Sequence, residues 1–250
     1  MTPRPRRARL DVLLVERGLA ESRTKAQALV MAGAVVVGEA RVDKPGALVD
    51  PDLPVRIKED AAPRRYVSRG AGKLLKALEA FPIDPRGRTC VDLGASTGGF
   101  TDVLLQHGAA RVYAVDVGYG QLHPRLRADP RVMVRERENA RSLTAAALGG
   151  AVDLVVADLS FISLRLVLPA ILDLLRPGGE AVLLVKPQFE VGRGEVGKGG
   201  VVREESKRRA ALKAVAEAAR ALGFVVLGEA ESPVVGPAGN REWLLGLRRG

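Results

Sequence analysis

One cysteine, two histidines and an aromatic share of 4% leave several kinds of chemistry without material. Cys90 alone closes no internal disulfide, and no Cys/His cluster has zinc-site spacing, so no metal is expected. His107 stands before Gly108, where a helix end is expected, and His123 precedes Pro124. Neither forms a nucleophile–base pattern with Ser160 or Ser163, which argues against hydrolysis through a serine. Cys90 reads as core and Trp243 as sheet packing. The longest apolar run, Ala28 to Gly38, falls well short of the roughly 18 residues of a bilayer span. The opening Met1-Thr-Pro-Arg-Pro-Arg-Arg has charges with no apolar stretch behind them, unlike a secretory signal. A soluble protein of a reducing compartment, the cytoplasm, is expected, with no membrane partner.

What is present is ordinary globular material: 250 residues, 47% hydrophobic and 27% charged. That length suits one large domain or a medium one with a small one attached. The net charge is +10, which points to a polyanionic partner. The excess is uneven. Arg4, Arg6, Arg7 and Arg9 crowd the first ten positions, and residues 61–80 carry Arg64, Arg65, Arg69, Lys73 and Lys76 against Glu79 alone. Such clusters fit contact with a phosphate backbone. Residues 59–67, polar and interrupted by Pro63, read as a linker between a module at 1–58 and another at 68–250.

In the first module Leu10, Leu13 and Leu14 share a helical face that Gly18 ends, and Ser22 caps a second helix from Arg23 to Ala32. Val35-Val-Val, a turn at Gly38 and Arg41-Val-Asp read as a hairpin, with a last strand at Val55-Arg-Ile-Lys. Arg9-Leu10-Asp11, Leu13, Gly18, Ser22-Arg23, Ala26, Gly33, Val35, Val37, Gly38, Val42 and Lys44-Pro45 resemble the S4-type RNA-binding domain over roughly residues 8–58. The resemblance implies that Arg9, Arg23, Lys25 and Gln27 line an RNA-contacting helical face beside Arg41 and Lys44. The module has no aromatic residue, so shape and phosphate recognition are expected rather than base stacking.

From residue 88 short apolar runs alternate with helical stretches. The runs are Cys90–Leu93, Val112–Val115, Val132–Val134, Leu154–Ala157 and Ala181–Val185; the helices are Thr101–His107, Leu164–Leu175 and Arg203–Leu222. Val225–Leu227 and Trp243–Leu247 add two final strands. This is the pattern of an α/β doubly wound, mostly parallel sheet, which binds ligands at the carboxyl ends of its strands. The first run leads into Asp92-Leu-Gly94-Ala95-Ser96-Thr97-Gly98-Gly99-Phe100, a glycine-rich turn before a helix N-terminus. Asp116 follows Gly94 by 22 positions, where an acid accepts from ribose hydroxyls. Asp92, Asp116 and Asp158 close successive strands, and three carboxylates favour a cationic nucleoside, S-adenosylmethionine, over a dianionic dinucleotide. Asn139 is placed either to read the adenine edge or to cap a helix.

Arginine outnumbers lysine 30 to 9, yet Lys186 ends the fifth strand and Lys73 opens the helix before the sheet. A site that needs only permanent charge is served by arginine; a removable proton requires lysine. Asp158 ends the fourth strand and Glu242 opens the last. The series Lys73, Asp158, Lys186, Glu242 resembles the catalytic tetrad of FtsJ/RrmJ-type RNA 2′-O-methyltransferases. With an S4-type module ahead, and with Tyr66-Val-Ser-Arg-Gly and Val185-Lys-Pro-Gln-Phe-Glu190, the sequence resembles the TlyA family, also called hemolysin A-like, over nearly its whole length. The resemblance implies a Rossmann-like, S-adenosylmethionine-dependent methyltransferase of ribosomal RNA ribose, acting on cytidine in one or both subunits. Lys186 is then the expected general base, Lys73 the cation that eases its proton off, Asp158 the group that orients both, and Glu242 the charge balance. Residues 192–200 are expected to order over bound RNA, with Arg193 and Lys198 meeting phosphate. Two rival readings are an inactive ribosome-assembly protein and, from the family's older name, a membrane-lytic protein. The latter lacks the long amphipathic helix it would need.

Overall fold

The computed structural model describes residues 7–31, 35–42, 44–57, 66–197, 199–236 and 239–250. The chain divides into two compact units, residues 1–65 and 66–250.

The first unit packs helices α1 (Leu10–Glu16) and α2 (Arg23–Met31) against small sheets. Strand β1 (Ala8–Arg9) pairs antiparallel with β4 (Leu48–Val49), while β2 (Val35–Val37) lies between β3 (Ala40–Arg41) and β5 (Val55–Ile57). Leu10, Leu14, Ala26, Val30, Val35 and Val37 form its core. Ser22 caps α2 by accepting from the Lys25 amide at 3.3 Å, as its residue type dictates. Gly18 takes a φ of +69° after α1, a conformation that side chains resist.

The second unit starts with α3 (Ala71–Ala80), then β6 (Thr89–Leu93), α4 (Gly99–Gln106), β7 (Arg111–Asp116), α5 (Pro124–Arg127), β8 (Val132–Glu136) and β9 (Val152–Ala157). It continues with α6 (Leu168–Leu174), β10 (Leu175–Val185), α7 (Pro187–Glu190), α8 (Glu205–Ala221), β11 (Phe224–Glu231) and β12 (Trp243–Arg249). The seven strands stand in the order β11-β12-β10-β9-β6-β7-β8. β12 alone runs against its neighbours β10 and β11; the other pairings are parallel. Chain order reverses beside β6, with β7 on one side and β9 on the other, and this is where such sheets bind ligands. Alternating residues feed two cores. Val91, Leu93 and Val155 face α6 and α8, whereas Cys90, Leu154 and Val156 face α3 and α4. Burial pushes the Cys90 thiol up to about 12, so it is inert packing.

Tyr66 and Val67, read from sequence as linker, belong to the second unit. The Val67 amide donates to buried Asp102 on α4 at 2.8 Å, and both side chains pack on the core beneath α3. The expected helix 164–175 is a short 3-10 turn at 164–166 followed by α6, with Pro169 in the first turn and Leu175 already in β10. Proline lacks the amide that would continue a helix from the preceding turn. α3 is seated by Phe81, whose ring lies across Gly246 and Gly228, paired residues of β12 and β11; a Cβ at Gly246 would come within 2.8 Å of it.

Candidate active site

The register brings the site residues to one edge. Leu93 is level with Val115 on one side and Ala157 on the other, so Gly94, Asp116 and Asp158 emerge together. Val185 is level with Trp243, and because β12 runs the opposite way, Lys186 leaves β10 where Glu242 enters β12. The four residues expected to act together do converge. Lys73 Nζ lies 3.2 Å from Asp158 Oδ2 and 2.8 Å from Glu242 Oε2, and Lys186 Nζ lies 2.6 Å from Asp158 Oδ1. Lys73, Lys186 and Glu242 are all buried. The Lys73–Glu242 contact is an ion pair off the angle of a hydrogen bond, and Glu242 Oε2 accepts none. Two amines and two carboxylates thus balance in formal charge within one cluster.

These side chains line a cavity of about 260 Å³ with Ser68, Asp92 and residues 94–97. A second, of about 540 Å³, shares Gly94, Ser96, Asp158 and Ser160 with it and extends past Asp116, Gln121, Glu138, Asn139 and Phe161. The wall between β6 and α4 is glycine for physical reasons. Gly94 has a φ of +82°, and a Cβ there would lie 2.7 Å from the Asp158 carbonyl oxygen; Gly98, at +94°, would collide with Leu126. Asp116 Oδ2 accepts from the Ser96 amide at 2.8 Å and Oδ1 from Gly118 at 2.7 Å, so this acid shapes the loop as well as facing the larger cavity. Asn139 lines the same cavity, but its Oδ1 accepts from the Arg141 amide at 3.0 Å, the local turn rather than an open acceptor. Asp92 Oδ2 accepts from both the amide and the hydroxyl of Thr101, at 2.9 and 2.7 Å, while its buried Oδ1 has no partner. Burial pushes Asp92 up to about 7, with Asp158 and Asp116 adding to the effect.

Residues 66–249 match the FtsJ-like methyltransferase family and residues 8–55 match the S4 domain. A 16S/23S rRNA (cytidine-2′-O)-methyltransferase TlyA of Mycobacterium tuberculosis is 54% identical over 243 residues, 97% of this chain and 90% of that protein. The chain belongs to the TlyA family. Hemolysin A of Brachyspira hyodysenteriae is 38% identical, over 94% of this chain and 98% of its own. A solved structure with a hemolysin name, from Streptococcus thermophilus, matches with a TM-score of 0.75 and 44% identity, covering 98% of this chain and 90% of that one. The seven-stranded sheet of this TlyA-family chain is accordingly that of an S-adenosylmethionine-dependent methyltransferase. The site fits that cofactor. An unpartnered buried carboxylate oxygen on Asp92, a glycine wall that admits close approach, and an acidic donor set all suit a cationic nucleoside.

Other sequence expectations are distributed as follows. In the S4 unit, fully buried Asp11 gathers Arg9 at 3.0 Å, Arg23 at 2.9 Å and Gln27 at 3.0 Å, and the hydrogen bonds from Arg9 and Gln27 hold its carboxyl far below the usual range. Lys25 pairs with Glu21, and Arg7, Lys44 and Arg69 are exposed. Arg4, Arg6, Arg64, Arg65 and Lys198, and the side chains of Arg41 and Arg193, lie outside the described residues. Among the described residues no acid, histidine or cysteine group could hold a metal, and no helix is long and apolar enough to cross a membrane.

Three contributions escaped the sequence reading. Ser160 accepts a 2.9 Å hydrogen bond from Lys186 Nζ. The signal for it was its place two residues after Asp158, just past the end of β9. Phe161, 91% exposed with a φ of +64°, holds its ring at the mouth of the larger cavity, 5.3 Å from that of Phe189. Glu190 accepts from the Ser163 hydroxyl and the Leu164 amide at 2.6 and 2.7 Å, fastening α7, which follows Lys186, to the 3-10 turn.

Proposed function

We propose that the chain methylates the 2′-hydroxyl of a cytidine in ribosomal RNA, in one or both subunits, with Lys186 as general base. One observation supports this above others: Lys73, Asp158, Lys186 and Glu242 meet within ion-pair distance beside the cavity whose walls suit the cofactor. A ribose hydroxyl is a poor nucleophile while it keeps its proton. Lys73 lies between two carboxylates, whereas Lys186 faces one carboxylate and a neutral hydroxyl, so Lys186 is the amine assigned the base role. Asp158 orients both amines through its two oxygens. With Lys186 neutral the cluster carries a net negative charge, complementary to a sulfonium. When bound in the cavities walled by Asp92, residues 94–100, Asp116, Asn139 and Asp158, S-adenosylmethionine supplies an electrophilic methyl carbon whose leaving group is a neutral thioether. Phe161 offers a bare ring on which the target base stacks, and the S4 unit with its Arg9, Arg23, Lys25 and Lys44 tracks phosphate. Ribosomal RNA as substrate puts the reaction in the cytoplasm. The M. tuberculosis relative carries this activity in its name.

The test is Lys186→Arg, which keeps charge and length but has no removable proton. It is expected to bind the cofactor normally and to methylate ribosomal subunits at least ~100-fold more slowly, the usual weight of a general base. Normal turnover would remove Lys186 from that role. Mapping the tritiated methyl to a base instead of a ribose would remove the reaction itself.

A further inference from the structure

Lys73 and Lys186 share Asp158 but differ in what else holds them. Lys73 has a second carboxylate, Glu242, at 2.8 Å; Lys186 has the Ser160 hydroxyl at 2.9 Å. We propose that Ser160 is a positioning residue for Lys186, a neutral acceptor that fixes one N–H of the amine so that its lone pair opens into the smaller cavity. This rests on the reading of Lys186 as the base.

An amine nitrogen has four tetrahedral corners, and in Lys186 one is the bond to Cε. Ser160 Oγ at 2.9 Å takes a second as the hydrogen-bond acceptor, while Asp158 Oδ1, 2.6 Å away, attracts the amine as an ion pair off the angle of a hydrogen bond. Lys186 is buried yet lines the smaller cavity, so with Ser160 fixing one N–H a free corner is left for a ribose hydroxyl to meet. With only Asp158 as a tether the amine would turn about its last bond and spread the lone pair over several directions, and a misplacement of that kind costs rate without costing affinity. Neutrality matters equally. A second anion at position 160 would hold the Lys186 charge as Glu242 holds that of Lys73.

The same hydroxyl offers the proton a way out. Ser160 is exposed and lines both cavities. After the ribose proton has joined Nζ, an N–H bond of the resulting ammonium breaks as a new O–H bond forms on Oγ, and the original serine proton passes to water. Amine and hydroxyl both return to their starting forms, with solvent water the final proton acceptor.

Single-turnover methyl transfer from tritiated S-adenosylmethionine to ribosomal subunits of a gene-deleted strain tests this in the full-length protein. Ser160→Ala is expected to slow transfer about tenfold while cofactor and subunit dissociation constants stay within about twofold, and Ser160→Thr to restore the rate to within about threefold. Ser160→Asn, neutral, and Ser160→Asp, charged, have nearly the same shape. The Asp variant is expected to be the slower of the two and to recover as pH is raised, because a second carboxylate keeps the amine charged to higher pH. The inference is overturned by a fully active Ser160→Ala beside an inactive Lys186→Arg, by a Ser160→Ala defect confined to binding, or by equal pH profiles for Asn and Asp. Normal turnover of Lys186→Arg overturns the base reading, and this inference with it.

Discussion

Asp92 should make the stability of the second unit fall as pH rises from about 4 to about 7. An aspartate ordinarily ionises near 3.8; complete burial raises Asp92 to about 7, against the pull of two hydrogen bonds from Thr101. A carboxyl raised in this way supports the fold fully below its unfolded value, where both states are protonated, and loses that contribution as pH climbs through its folded value. The loss accrues at about 1.4 kcal/mol for each of roughly three pH units, near 4 kcal/mol in all by pH 8. Asp92→Asn cannot ionise, so its stability relative to the wild type should improve by that order between pH 4 and pH 8. The single tryptophan, Trp243, lies in this unit and reports urea unfolding of its sheet directly. Because other groups titrate over the same range, the difference between the two proteins is the quantity that counts. Parallel stability curves would refute the assignment of a raised, buried carboxyl. The cofactor supplies the complementary reading. A cationic ligand prefers ionised Asp92, so wild-type affinity should rise with pH up to about 7, by as much as tenfold per unit, and the Asn variant should show a weak, flat affinity.

Gly94→Ala should abolish cofactor binding in calorimetry while leaving a folded sheet, because its Cβ would lie 2.7 Å from the Asp158 carbonyl oxygen at a φ of +82°. Asp11→Asn should weaken binding of ribosomal subunits about tenfold, by releasing Arg9, Arg23 and Gln27, without changing affinity for the cofactor. An unchanged subunit affinity would mean that the guanidinium fork around Asp11 serves only the fold.

Much of this was legible in the residues because the physics is local. Four of the five apolar runs lead into glycine, aspartate or lysine and mark strands whose carboxyl ends carry chemistry; Asp158 and Lys186 stand at such ends, while Lys73 opens a helix and Glu242 precedes the last strand. What stayed hidden depends on partners distant in sequence. β1 and β4 are two residues each and exist only through their pairing. The break before α6 hangs on one proline inside an otherwise helical pattern. Arg9 and Arg23 read as free cations until the fold buries Asp11 between them. Ser160 reads as a leftover serine because its partner, Lys186, comes 26 residues later from a neighbouring strand. Phe161 carries no local sequence signal for its place: it has a φ of +64° and is 91% exposed.

The last strand of this sequence is not an edge strand: β12 slots between β10 and β11. Positions 242–249 therefore supply both an interior strand and the second carboxylate of Lys73. A stop codon anywhere before Glu242 would remove an acid of the ion cluster and an interior strand in one event.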